Sequence, residues 1–213
     1  MRDYTETNKS AFNRLAHEYN ERWRKYLGHQ ETVLSLFEEK LRQGFEAPIR
    51  VLDVGCGVGL DSHILTEHGF QIYGIDIAEK MIEYAKQNVP RAIFEESNFF
   101  TYLNGQFQGI VMDAFLHLFP KEEVQTILGK AKSLLVSGGY GLICTTKNDE
   151  SVEGYFEKED YNGRVKRFRK HWTEQELKDT LKQNGLRIVD FYIDHEQAFN
   201  KIWMNALFQV GGE

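Results

Sequence analysis

Val51-Leu-Asp-Val-Gly-Cys-Gly-Val-Gly59 runs from an apolar stretch straight into a glycine-rich turn. Residues 49–54 read as a buried strand and residues 59–68 as a helix, so the glycines sit at a strand-to-helix junction. In an open α/β sheet, ligands bind outside the carboxyl ends of the strands, and the turn after the first strand is the natural cradle. Gly55 and Gly57 carry no Cβ, so the backbone can take positive φ there and a ligand can approach closely. Asp53 precedes the turn, and a second acid, Asp76, ends the next apolar strand.

A pyrophosphate-binding turn needs G-x-G-x-x-G, with the phosphates on the helix N-terminus. Here the pattern is Gly55-x-Gly57-x-Gly59, and Leu60 stands where the third glycine would be. Asp53 would repel a pyrophosphate but attract an ammonium. Asp76 can accept hydrogen bonds from both hydroxyls of a ribose. These residues argue for a nucleoside with an amino-acid tail over a dinucleotide.

Working outward, residues 10–27 put Phe12, Leu15, Ala16, Tyr19, Trp23 and Tyr26 at helical spacing, and Leu34, Phe37 and Leu41 mark a second helix. Strands are expected at 71–75, 92–95, 108–112 and 140–145. Helices are expected at 79–89, from Pro120 through the stripe Val124 to Leu135, and from Thr173 to near Gly185. Thr173 and Glu176 form a capping box. Strands at 186–193 and 198–210 follow, joined by a short loop as an antiparallel hairpin. Alternation of this kind implies an α/β sheet with helices on both faces, preceded by a helical cap at 1–45. Without repeats or a linker, residues 1–213 read as a single domain.

Composition bounds the function. The chain has 213 residues, 41% hydrophobic and 27% charged, with a net charge of −6. That balance argues against a DNA-binding surface, which needs clustered Lys and Arg. No stretch approaches a membrane span or an export signal, so a soluble cytoplasmic protein, monomer or homodimer, is the expectation. Cys56 and Cys144 lack metal-ligand spacing and read as free thiols, and no metal is expected.

Together with Tyr73-Gly-Ile-Asp-Ile77, Glu96-Ser-Asn-Phe99, residues 107–120 and residues 134–143, the opening motif resembles the class I S-adenosylmethionine-dependent methyltransferases of the small-molecule type. The resemblance covers nearly all of the chain. It implies a Rossmann-like seven-stranded sheet ordered 3-2-1-4-5-7-6, with strand 7 antiparallel. It further implies S-adenosylmethionine as cofactor, S-adenosylhomocysteine as product, and a methyl acceptor O, N or S on a small molecule. Asp53, Gly55, Cys56 and Gly57 would hold the methionine end. Asp76 would bind the ribose, with Ile77, Met81 and Phe99 against adenine. Asn98 stands where such enzymes often carry an acid for the adenine amino group. Tyr19 matches a tyrosine that such enzymes place over the cofactor.

Asp113 and His117 leave the fourth strand where the transferred group would face, and an imidazole of ordinary pKa near 6.5 suits a general base. Residues 146–172 make a long connection that would shape a substrate pocket. Within it lie Tyr155, Phe156 and Tyr161, then a basic run in which Arg164 and Arg167 are the expected binders of an anionic acceptor. No Asn/Asp-Pro-Pro-aromatic segment, Pro-Cys nucleophile, HExxH or Tyr-x-x-x-Lys pair occurs. Their absence disfavours a DNA-base modifier, a metalloprotease and a short-chain hydride-transfer enzyme. The rival readings are a cofactor-binding regulatory protein without transfer activity and an NAD-dependent oxidoreductase.

Overall fold

The computed structural model describes residues 3–158, 165–197 and 200–211. Seven strands form the main sheet: β1 (Arg50–Val54), β2 (Gln71–Asp76), β3 (Ile93–Glu96), β4 (Phe107–Asp113), β5 (Leu135–Thr146), β8 (Arg187–Glu196) and β9 (Lys201–Gln209). Their order is β3-β2-β1-β4-β5-β9-β8. Strands β1 to β5 pair in parallel, and β9 runs antiparallel to both β5 and β8. With the separate antiparallel pair β6 (Glu153–Lys158) and β7 (Val165–Lys170) left out, this is the expected order 3-2-1-4-5-7-6.

Period-two alternation divides the core between the two faces of the sheet. Leu52, Val54, Ile110, Met112, Ile143 and Phe208 pack with Val124, Ile127, Leu128 and Ala131 of α5 (Lys121–Leu134) and Leu177 and Leu181 of α6 (Glu174–Gln183). Val51, Val111, Leu142 and Leu207 point the other way, onto Leu34, Phe37 and Leu41 of α2 (Leu27–Gly44) and Ile64 and Leu65 of α3 (Leu60–Glu67). Each fully buried aliphatic side chain of this kind stabilises the fold by roughly 1.5–3 kcal/mol. Gly109 exists for this packing: a Cβ there would meet Phe37 Cζ at 2.7 Å.

The cap begins earlier than the apolar periodicity predicts. Helix α1 spans Asp3–Arg22, with Asp3 and Glu6 in its first turn, where acids favour the positive end of the helix dipole. It tightens into a 3₁₀ turn at Trp23–Tyr26 and hands over directly to α2. Helix α4 (Glu79–Asn88) stops just before Val89 and Pro90, and α6 starts as expected, with Thr173 Oγ1 accepting from Glu176 N at 3.3 Å.

The described residues of the 146–172 stretch do more than connect. They include an antiparallel pair, β6 (Glu153–Lys158) and β7 (Val165–Lys170), with Phe156 opposite Arg167. Strand β7 lies against α1, where Val165 packs with Ala11 and Leu15. The alternation that betrays β7 was masked by its charge. Val165, Arg167 and Arg169 share one face, but a run of cations does not read as a buried strand. Helix α1 and this hairpin together form a roof over the carboxyl ends of β1, β2, β4 and β5.

Candidate active site

The roof is latched by one amide. Asn8 Oδ1 accepts from Phe168 N at 2.8 Å, while its Nδ2 donates to Leu118 O at 3.2 Å and Phe168 O at 3.4 Å. Three segments distant in sequence, α1, β7 and the loop after β4, therefore meet at one buried side chain. Tyr155 Oη adds a bond to Asp3 Oδ2 at 2.8 Å, and Lys9 pairs with Glu96 at 2.7 Å.

Beneath the roof are two adjoining cavities. The first is lined by Asp76, Ile77, Met81, Asn98, Phe99 and the aromatic wall of Phe115 and Phe119. The second is lined by Asp53, Cys56, Asp61 and Gln30, with Arg169, Trp203 and Asn205 beyond them. Tyr19, Gly55, Gly57, Asp113, Ala114, His117 and Arg167 line both, so these residues mark the junction.

The glycines behave as their positions require. Gly55 has φ +73° and lies so close to the β4 loop that a Cβ would meet Phe115 Cδ2 at 2.7 Å. Gly57, at φ +52°, has only open space where its Cβ would be. Gly59 serves packing: it caps α3 at φ +92°, and a Cβ would press on Val89 at 3.2 Å. Ala114 takes φ +50° at the cavity junction, a strained conformation for a residue with a Cβ. No sequence signal announced it.

The Asp76 carboxylate is fixed at both oxygens. Gly57 N donates to Oδ2 at 3.1 Å and Ala78 N to Oδ1 at 2.8 Å. Burial pushes its pKa up to about 6, against the pull of those amides. Asp53, bonded by Ser62 Oγ at 2.6 Å, is likewise raised to about 6 by burial, with the Asp76 charge adding to it. Asp113 rises to about 7 through burial and the Asp53 charge. Its Oδ2 receives a long bond, 3.4 Å, from Gln30 Nε2 of α2. His117 is buried, with Nδ1 3.1 Å from Thr145 Oγ1.

The sequence-predicted residues thus separate. Ile77, Met81, Asn98 and Phe99 gather around Asp76, and Asp53 and Cys56 around the second cavity. Asn98 Oδ1 already accepts from Phe100 N at 3.0 Å. Arg167 is only 6% exposed and borders both cavities. Its guanidinium carbon sits 5.8 Å from the Phe12 ring centroid, and no carboxylate among the described residues pairs with it. Tyr155 lines neither cavity: its ring packs edge-on against Phe168, on the hairpin face opposite Arg167. Arg164 and Tyr161 lie outside the described residues. Both cysteines are free and buried. No helix among the described residues is long and apolar enough to cross a membrane.

Gln30, Asp61 and Asn205 escaped the sequence reading, and Arg169 entered it only as a member of the basic run, not as an expected binder. Asn205 had a signal, a lone amide within the apolar strand Ile202-Trp-Met-Asn-Ala-Leu-Phe208. Arg169 follows Arg167 at strand spacing. Gln30 and Asp61 had none beyond amphipathic helices.

A doubly wound sheet, a glycine turn and a paired-amide acid at the tip of β2 define a Rossmann-like α/β fold with a candidate nucleoside pocket. The pocket residues suit such a group, since the open space at Gly57 and the fixed Asp76 adjoin apolar walls. A methyltransferase-domain family model matches residues 15–190, and the chain belongs to that family. It is 32% identical over 115 residues to magnesium-protoporphyrin O-methyltransferase of Synechocystis sp., covering 51% of this chain and 50% of that protein. It is 35% identical over 78 residues to mouse (Mus musculus) glycine N-methyltransferase, covering 32% and 27%. The chain thus spans half or less of these relatives. In fold it is similar to Burkholderia thailandensis 1,6-didemethyltoxoflavin-N1-methyltransferase, solved with its substrate and S-adenosylhomocysteine. That match has TM-score 0.74 and 18% identity, over 99% of this chain and 90% of that one.

Proposed function

We propose that this chain is an S-adenosylmethionine-dependent methyltransferase acting on a small molecule that carries an anionic group. The observation that carries the reading is the Asp76 carboxylate, pinned by the amides of Gly57 and Ala78 at the rim of an apolar cavity that opens onto a second one. Family membership supports it, as do relatives whose names specify O- and N-methylation.

When bound, S-adenosylmethionine supplies an electrophilic methyl group on a sulfonium. The chain's part is to bind, orient and exclude water. Asp76 accepts from the ribose hydroxyls, while Ile77, Met81 and Phe99 form apolar walls for the base and Asn98 its polar edge. Asp53, Gly55, Cys56 and Gly57 accommodate the amino-acid tail, and Tyr19 closes the junction from α1. The roof keeps the junction dry. Arg167, buried and with no carboxylate partner among the described residues, holds the acceptor's anionic group through charge-assisted hydrogen bonds. His117 and Asp113, both at the junction, are the groups able to hold an acceptor proton.

Calorimetric titration with S-adenosylhomocysteine, with NADH as control, tests the cofactor. Micromolar binding of the former alone is expected. Binding of NADH alone overturns the reading. Methyl transfer to a panel of small carboxylates and phosphates, with and without amines, then identifies the acceptor.

A further inference from the structure

Among the described residues, two buried oxygens on the wall of the second cavity have no donor. Asp61, in the first turn of α3, is 6% exposed, and its Oδ1 has no hydrogen-bond partner among the described residues. Asn205, in β9, is fully buried. Its Nδ2 donates to Asp194 Oδ2 at 3.0 Å, yet its Oδ1 also has no partner among the described residues. Buried acceptors left in this state are costly and rare. The two lie far apart in the chain and line one cavity, together with Asp53 and Asp113 and, elsewhere on its wall, Glu196, Arg167, Arg169 and Lys201.

We propose that Asp61 and Asn205 form an alkylammonium-binding site in the second cavity, a reading that rests on the methyltransferase assignment above. An ammonium brings donors without acceptors, as two orphaned acceptor oxygens require, and its charge offsets the Asp53, Asp61 and Asp113 carboxylates on this side of the cavity. A neutral hydroxyl would satisfy an oxygen but leave the charge. The electrostatics agree: burial, then the Asp113 and Asp53 charges, drive the Asp61 carboxyl toward its protonated form, and a bound cation reverses that pressure. The ammonium has two sources, the tail of S-adenosylmethionine or an amine on the acceptor.

Calorimetry separates them. Wild type, Asp61→Asn and Asn205→Leu are titrated with S-adenosylhomocysteine and with 5′-methylthioadenosine, which keeps the nucleoside but lacks the ammonium. A second arm titrates ethylammonium and glycine into protein loaded with S-adenosylhomocysteine. If the tail is the occupant, Asp61→Asn weakens S-adenosylhomocysteine by about tenfold or more and leaves 5′-methylthioadenosine unchanged. If the acceptor is the occupant, both nucleosides bind as in wild type and the variants lose the amine probes. Equal loss of both nucleosides, or no change in either arm, overturns the site. Should wild type bind neither nucleoside, the methyltransferase reading fails by itself. The amine probes on unloaded protein then decide: retention by wild type and loss in Asp61→Asn supports the site, and absence from wild type overturns it. Asp61→Asn is isosteric and decides alone if Asn205→Leu fails to fold.

Discussion

Asp76 Oδ2 accepts the Gly57 N–H at 3.1 Å, which ties the turn after β1 to the tip of β2. The same carboxylate takes the Ala78 N–H at 2.8 Å, so a single side chain shapes the turn and presents its remaining lone pairs to the first cavity. Structure and binding are therefore joined in one residue. Asp76→Asn keeps one oxygen for an amide but loses the charge. A hydrogen bond to a charged group contributes roughly 1.5–3 kcal/mol. We expect S-adenosylhomocysteine affinity to fall about 10- to 100-fold, measured by calorimetry, with the fold intact by circular dichroism. Unchanged affinity removes Asp76 from the ribose role.

Gly55→Ala tests the cradle. The substitution forces a Cβ into φ +73° and within 2.7 Å of Phe115 Cδ2, an aromatic ring packed against Phe99 and Phe119. Left-handed backbone alone costs a residue with a Cβ roughly 1–2 kcal/mol, and the clash adds to it. Chemical denaturation should show a loss of about 2 kcal/mol or more. Gly57→Ala has open space and carries only the backbone strain, so it should be the milder change for stability.

These two cases mark how far the sequence reaches. The turn, its acids and the succession of strands and helices were legible because local spacing and periodicity encode them directly, whereas the strand order came from the family resemblance, since no local signal states which strands pair. What was hidden depends on tertiary contact. The bidentate Asn8 latch, the strained Ala114 and the meeting of Gln30 with Asp113 each join segments far apart in the chain. The β6–β7 hairpin was hidden for a different reason. Both faces of β7 bury a cation, Arg167 on one and Lys170 on the other, and patterning rules read cations as surface. Tyr155 shows how alternation sorts neighbours in sequence: it lies on the face of the strand pair opposite Arg167, against Phe168.

Arg167→Ala should raise the acceptor KM by about 10- to 100-fold, the loss of one charge-assisted contact. S-adenosylhomocysteine affinity should be unchanged, as read by calorimetry. Arg167→Lys should recover only part of the KM, because an ammonium lacks the planar fork of a guanidinium. A loss of cofactor binding in Arg167→Ala would instead assign the guanidinium to the first cavity.

His117→Asn separates proton transfer from architecture. General-base catalysis contributes typically 10²–10⁴-fold, so kcat should fall by about 100-fold or more while S-adenosylhomocysteine binding persists. The acidic limb of the kcat profile, read with cofactor and acceptor both saturating so that the Asp76 binding limb does not enter, should vanish with it. Thr145→Val, which removes the hydroxyl 3.1 Å from Nδ1, should lower kcat less and shift that limb. A full rate in His117→Asn would leave the imidazole a structural role against Thr145.

The buried acids make stability and binding respond to pH in opposite senses. Asp53 and Asp76 titrate near 6 and Asp113 near 7 in the folded, ligand-free chain, against 3.8 for an ordinary carboxyl. Between about pH 4 and 7 the folded state therefore holds more protons than the unfolded state, so these groups make stability fall as pH rises. His171, whose pKa is lowered by burial and by Arg169 and Lys170, opposes this over part of the window. A difference measurement isolates the acid: Asp113→Asn should raise Tm at pH 8, by about 2–4 °C per kcal/mol relieved, and change it little at pH 5. Binding runs the other way, because Asp76 must be ionised to accept two hydroxyl donors. S-adenosylhomocysteine affinity should weaken below pH about 6, by up to about tenfold per unit for a single proton. A Tm gain in Asp113→Asn that is equal at both pH values would show that its carboxyl is not titrating in this range, and an affinity flat from pH 5 to 8 would say the same of Asp76.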